Sequence, residues 1–252
     1  MSREARLEIM RRKIAAIEAG GPPPRAVLAF GDPRIDGVFP AGGLPLGRWH
    51  EAAGEGLEIE TAVAAAAFVA ALITPLATRG EIVWVMRRDD LYAPGLSGLG
   101  FPAESLIQVM ARDEAEVQGV LEDALGCAGV AAAVGEVDEI GLTAGRRLQL
   151  ACERHGGAGF IIRRRPFGGR SGGGAAGSAA ATRWKVASAP SQPAPGEPGL
   201  GPPRWRVTLE RCRGGRPGAW IMEKSDGADR LRLVADLGDR QLETPQPLRL
   251  AG

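Results

Sequence analysis

The chain has 252 residues, 44% hydrophobic and 24% charged, with 31 Lys+Arg against 30 Asp+Glu. That length and apolar content support a sizeable buried core and exclude a wholly disordered chain. Three well-separated cysteines (Cys127, Cys152 and Cys212), none in a CxxC, and two histidines (His50 and His155) exclude a disulfide scaffold and a zinc centre, and point to reduced thiols in the cytoplasm.

The first predicted element is an amphipathic helix within residues 1–21. Leu7, Met10, Ile14 and Ile17 fall at helical spacing on one face, and Gly20-Gly21-Pro22 ends it. Such a stripe either packs on its own domain or docks on a partner. Residues 22–165 then alternate short apolar runs with helical stretches. Strands are expected at Arg48–Ala53, Glu81–Met86, Leu106–Met110, Val130–Val134 and Gly159–Ile162. Helices are expected at Thr61–Ala77, Glu114–Leu125 and Ala144–Arg154. This alternation predicts an α/β fold with a mostly parallel central sheet flanked by helices. The longest apolar run, Ala62–Thr74, falls short of the ~20 residues a bilayer requires, and the charged start carries no signal-like segment. Neither a membrane span nor export is expected.

A phosphate-binding loop would sit where the strand Arg48–Ala53 meets the following helix. A working loop has the form GxxxxGK[ST], its amides curling around phosphate and its lysine reaching the outer oxygens. The register here gives Gly54, then Ile59 for the second glycine, Glu60 for the lysine, and Thr61. A carboxylate in place of the lysine turns attraction for phosphate into repulsion, a swing of several kcal/mol at ~4 Å and an effective dielectric near 20. No nucleotide cofactor is expected to bind there in the usual manner. His50 and His155 lack accompanying nucleophile or carboxylate constellations, so packing or capping is expected of them.

Residues 166–203 are rich in Gly, Pro and Ala and predict a flexible, basic segment. Within it, Thr182–Val186 alternates apolar and basic like a half-buried strand. Residues 204–252 predict a basic hairpin, Trp205–Leu209 with Ala219–Lys224 around a glycine-rich turn, then a strand near Leu231–Val234 and a tail. Between Arg163 and Arg216 there are eleven Lys/Arg against two Glu, a local charge of +9, which leaves −8 elsewhere. Arg163, Arg164, Arg165, Arg170, Arg183, Lys185, Arg204, Arg206, Arg211, Arg213 and Arg216, with Trp184 and Trp205 among them, suit single-stranded DNA or an acidic protein partner. Guanidinium groups meet phosphates, and indoles stack on bases.

The order of these features carries a resemblance. Gly42–Arg48 (GGLPLGR), continuing through Leu91–Leu96 and Leu99–Pro102, resembles the RecA recombinase family. The eroded loop, Trp84–Pro94, Thr182–Val186 and Trp205…Trp220 together resemble the ImuA family of RecA-like, SOS-inducible mutagenesis proteins, over roughly residues 3–224. The resemblance implies a RecA-like core with a degenerate phosphate loop. The acid that would activate water falls near Arg88, and the metal-binding carboxylate expected after Val134 is replaced by Gly135, with Glu136 or Asp138 only in a shifted register. It implies a non-catalytic accessory protein of translesion DNA synthesis. Its partners would be an ImuB-type inactive polymerase homologue, an error-prone polymerase, and RecA or DNA. Two alternatives stand beside it: a divergent ATP-dependent RecA-like recombinase and a SulA-like cell-division inhibitor.

Overall fold

The structure is a computed structural model that describes residues 10, 26–56, 58–164, 178–193, 195–196, 198–224 and 230–237, with the side chains of 58–62 outside the description. Its centre is one nine-stranded sheet. In chain order the strands are β3 (Trp49–Gly54), β4 (Glu81–Met86), β5 (Leu106–Met110), β6 (Val130–Val137), β7 (Ala158–Arg163), β8 (Thr182–Ala189), β9 (Arg204–Cys212), β10 (Gly218–Glu223) and β11 (Arg232–Asp236). Their spatial order is β11-β10-β9-β8-β3-β7-β6-β4-β5. From β5 to β8 neighbouring strands run parallel, and from β8 outward they run antiparallel. A two-residue ribbon, β1 (Val27–Leu28) with β2 (Leu44–Pro45), and the short helix α1 (Pro33–Asp36) precede the sheet.

The parallel strands need crossovers, and helices supply them: α2 (Glu58–Ile73), the short α3 (Ala93–Ser97), α4 (Glu114–Leu125) and α5 (Leu142–His155). Helix α2 ends four residues before the expected Ala77. Pro75 has no amide proton to donate, and the chain tightens into a 3-10 turn at Thr74–Arg79. Asp113 caps α4 by accepting from the Glu116 amide at 2.9 Å. Gly156 closes α5 in the left-handed conformation at φ 81°.

Two apolar layers enclose the sheet. On one face α2, its alanines allowing close approach, packs with Phe30, Phe39, Trp84, Phe160, Trp184, Trp205 and Trp220. On the other, α4 and α5 bury Val117, Leu121, Leu125, Leu148 and Cys152 against Trp49, Val85, Ala133 and Ile161. None of the described residues of β8–β11 joins that second layer. Their alternation is apolar inward and polar outward, as the sequence of Thr182–Val186 predicts: Trp184 and Val186 face the core, Arg183 and Lys185 the other side. Gly135 sits in β6 beneath α4, where a Cβ would come within 2.4 Å of Leu121 Cδ1 and 3.1 Å of Val117 Cγ1. The position therefore has no room for a carboxylate side chain.

His50 holds the centre of the sheet through a directional chain of hydrogen bonds. Its Nε2–H donates to the Pro45 carbonyl (3.0 Å), so the neutral ring accepts at Nδ1 from the Thr182 hydroxyl (2.8 Å), and Thr182 accepts from Trp184 Nε1 (2.7 Å). Burial lowers the imidazole pKa from 6.5 to about 3, and nearby Arg48 pushes the same way. A depressed value means that the unfolded chain takes up the proton first. Stability is therefore complete above pH 6.5 and falls as pH drops towards 3. Between pH 6.5 and 5.5 the loss is expected to be roughly 1 kcal/mol from this group. Urea titrations at both pH values check it, and the slope should flatten in His50→Gln.

Candidate functional site

The carboxyl ends of β4, β6 and β7, with β3 beside them, hold a lattice of buried acids and arginines. Glu51, in mid β3, is 3% exposed and accepts from three groups. Arg163 Nη1 lies at 3.0 Å, Arg183 Nη2 at 3.3 Å, and the Ser178 hydroxyl at 2.9 Å. Glu136, the seventh residue of β6, is 5% exposed and accepts from Trp84 Nε1 at 2.9 Å and Arg164 Nη1 at 2.7 Å. Burial raises the Glu136 pKa, while the bonds from Trp84 and Arg164 oppose the rise. Arg164 also reaches Asp90 at 2.8 Å, tying the loop after β4 to the end of β7.

Arg87, Arg88, Glu136, Asp138 and Arg164 line a cleft at this edge with about 20 Å³ of room, space for about one water. Arg87 pairs with Glu114 at 3.3 Å, and Glu114 also accepts from the Asp138 amide at 2.8 Å. Cation and acid thus alternate across the edge, each holding its neighbour in place. Arg88 lines the cleft at the position where the resemblance would put the water-activating acid.

The eroded loop is short. Gly54 ends β3, Gly56 takes φ 115°, and α2 begins at Glu58, which puts the backbone of Ile59, Glu60 and Thr61 in the first turns of that helix. Their side chains lie outside the description. The Glu55 amide donates to the Val186 carbonyl at 2.9 Å and its carboxylate pairs with Arg206 at 3.0 Å. One loop amide is therefore already engaged by the sheet.

The comparisons with known proteins bear on these features. No family model matches the chain. A curated relative, Protein ImuA of Caulobacter vibrioides, known from strains NA1000 / CB15N and CB 15, is 58% identical over 244 residues, covering 94% of this chain and 100% of its own. The chain belongs to the ImuA family. Among solved structures, the RadB recombinase aligns with a TM-score of 0.54 at 14% identity, over 78% of this chain and 95% of that one. The sheet of this ImuA-family chain thus has the RecA-like fold.

The residues singled out by sequence fall into distinct settings. Trp184 and Trp205 are 1% and 3% exposed, packed around Phe68 at 5.9 and 6.4 Å. Their indoles are core, which corrects the expectation that they offer faces for base stacking. Arg163, Arg164 and Arg183 are ion-paired within the lattice rather than presented as a groove. Lys185 pairs with Glu210 at 2.7 Å, and Arg204 with buried Glu223 at 2.6 Å. Arg206, half exposed, pairs with Glu55. Arg216 reaches the Gly37 carbonyl at 3.3 Å, and Arg211 and Arg213 both reach the Ser178 carbonyl.

Arg165, Arg170, Leu7, Ile14 and Ile17 lie outside the described residues, and Met10 is helical and exposed. Sequence reasoning missed Glu51, because one acid inside an apolar strand has no local partner. The signal it left is its position: a buried strand of a two-layered sheet tolerates a carboxylate only where cations converge on it.

Proposed function

We propose that this ImuA-family protein is a non-catalytic, cytoplasmic accessory factor of SOS-induced translesion DNA synthesis and mutagenesis. It would link an ImuB-type inactive polymerase homologue and an error-prone polymerase to RecA or DNA. The observation that carries the reading is the acid–arginine lattice at the carboxyl edge of the parallel strands. An NTPase on this fold needs that edge for a metal carboxylate and a water-activating acid, with a lysine on the phosphate. Here Glu136 is taken up by Trp84 and Arg164, Arg88 lines the cleft, and Glu60 replaces the lysine. The name of the Caulobacter relative and the basic outer strands support the mutagenesis role.

The test is turnover of ATP and binding of a labelled single strand by one purified sample across a salt series, with capture of an ImuB-type partner alongside. The reading expects no phosphate release above the blank, together with retention of the partner. DNA binding, where present, should weaken linearly in log–log form with salt. Turnover that disappears in Glu60→Ala would overturn the reading and favour a recombinase.

A further inference from the structure

Opposite the eroded loop, at the amino end of the parallel strands, three arginines converge. Arg48 immediately precedes β3, whose six residues separate it from Gly54 by roughly 20 Å of extended chain. Arg211 lies near the end of β9, and Arg213 follows that strand and donates its amide to the Ala181 carbonyl at 2.9 Å. Arg211 Nη1 (2.9 Å) and Arg213 Nη2 (3.2 Å) donate to the same acceptor, the Ser178 carbonyl. That acceptor is a dipole and carries no net charge, so two like charges are held side by side without neutralisation. Arg48 pairs with Glu153, which engages that carboxylate. Neither Arg211 nor Arg213 has a carboxylate among the described residues, and Arg213 Nε is buried with no hydrogen-bond partner. Burial, and the proximity of Arg211 and Arg48, lower the Arg213 pKa.

A protein rarely leaves two guanidinium groups together with an orphaned, buried N–H unless a ligand completes them. We propose that Arg211 and Arg213, with Arg48 behind them, form a binding site for a phosphoryl group. Two uncompensated positive charges match a phosphate dianion, and the planar forks match its oxygens. A single carboxylate from an acidic peptide would leave one charge unmatched. The phosphoryl dianion has two sources of the same chemistry: the terminal phosphate of a nucleic-acid strand or that of a nucleotide. The inference is independent of the accessory role, since it needs no partner protein.

The experiment is thermal melting of the full chain in phosphate against chloride at matched pH and ionic strength, followed by titration calorimetry. The calorimetric ligands are inorganic phosphate, ATP, and an oligonucleotide with and without a 5′-phosphate. The melting temperature of the unsubstituted chain should rise with phosphate. Arg211→Gln and Arg213→Gln should each weaken phosphate binding by about tenfold or more. In phosphate-free buffer neither should melt earlier, because each removes a repulsion. Should a glutamine variant fail to fold, Arg213→Lys keeps the charge, loses the fork, and should also weaken binding. Preference for the 5′-phosphorylated strand, or binding of ATP, would support the site and name its source, whereas equal binding of both strands would overturn it. An identical phosphate response in unsubstituted and Arg213→Gln chains would overturn it, as would no response at all. So would binding of an acidic peptide with phosphate inert.

Discussion

Glu51→Ala is expected to lower the unfolding free energy by about 3–5 kcal/mol, the range for breaking a buried ion pair from one side. The substitution leaves Arg163 and Arg183, whose side chains are 14% and 13% exposed, facing one another across an empty position, and leaves the Ser178 hydroxyl without its acceptor. Against a total stability of about 5–15 kcal/mol for a domain, that loss is a large fraction of what holds the fold. Glu51→Gln keeps the shape and an acceptor oxygen and should fall between the two. Urea unfolding of the three proteins measures it. A double-mutant cycle with Arg163→Ala separates the pairing from the empty space, because removing both partners should cost less than the two single losses added. A Glu51→Ala protein within about 1 kcal/mol of the unsubstituted chain would show that the lattice is solvated, not buried.

Trp184→Ala is expected to have a comparable effect, about 3–5 kcal/mol, for a different reason. Its ring lies 5.9 Å from Phe68, 6.1 Å from Phe39, 6.2 Å from Phe30 and 6.5 Å from Trp220, so truncation opens space that four aromatic neighbours cannot all collapse into. It also removes the indole donor from Thr182, one link in the chain that runs through His50 to the Pro45 carbonyl. Calorimetric unfolding reads the loss. Trp184→Phe distinguishes a core role from base stacking. A core indole predicts a partial stability loss with single-stranded DNA affinity unchanged in the folded fraction. The reverse pattern, intact stability with weaker DNA binding, would contradict the packing.

The difference between Trp184 as core and Trp184 as a DNA contact was legible in its neighbours. A period of two through Thr182–Val186 puts Trp184 with Val186 and sets Arg183 with Lys185 on the other side, so one strand cannot aim both at the same ligand. The alternation also located β8, and the glycine-rich turn located the β9–β10 hairpin, because those signals are local. The eroded loop is a reading of the Gly54–Glu60 spacing alone, since the side chains of residues 58–62 lie outside the described residues. The lattice was not legible. Glu51 is 112 residues from Arg163, and Glu136 is 28 from Arg164, so nothing near either acid shows that cations converge on it. Basic residues that look like a charged surface in sequence are, for Arg163, Arg164, Arg183 and Arg204, counter-ions of buried carboxylates. Composition reports their number and cannot report which side of the sheet they face.

The place of β3 in the sheet sets a timetable for folding. β3 is flanked by β7 and β8, and its His50 bonds to Thr182, 132 residues later in the chain. A nascent chain therefore releases β3 long before either neighbour has been synthesised, and both its edges stay open meanwhile. Contacts of such long range fold slowly, because loop closure must precede any gain from pairing. Chains cut short before β8 would retain the hydrophobic strands β3, β4, β6 and β7 with one edge of β3 bare, so prematurely ended fragments would self-associate rather than form a smaller working unit.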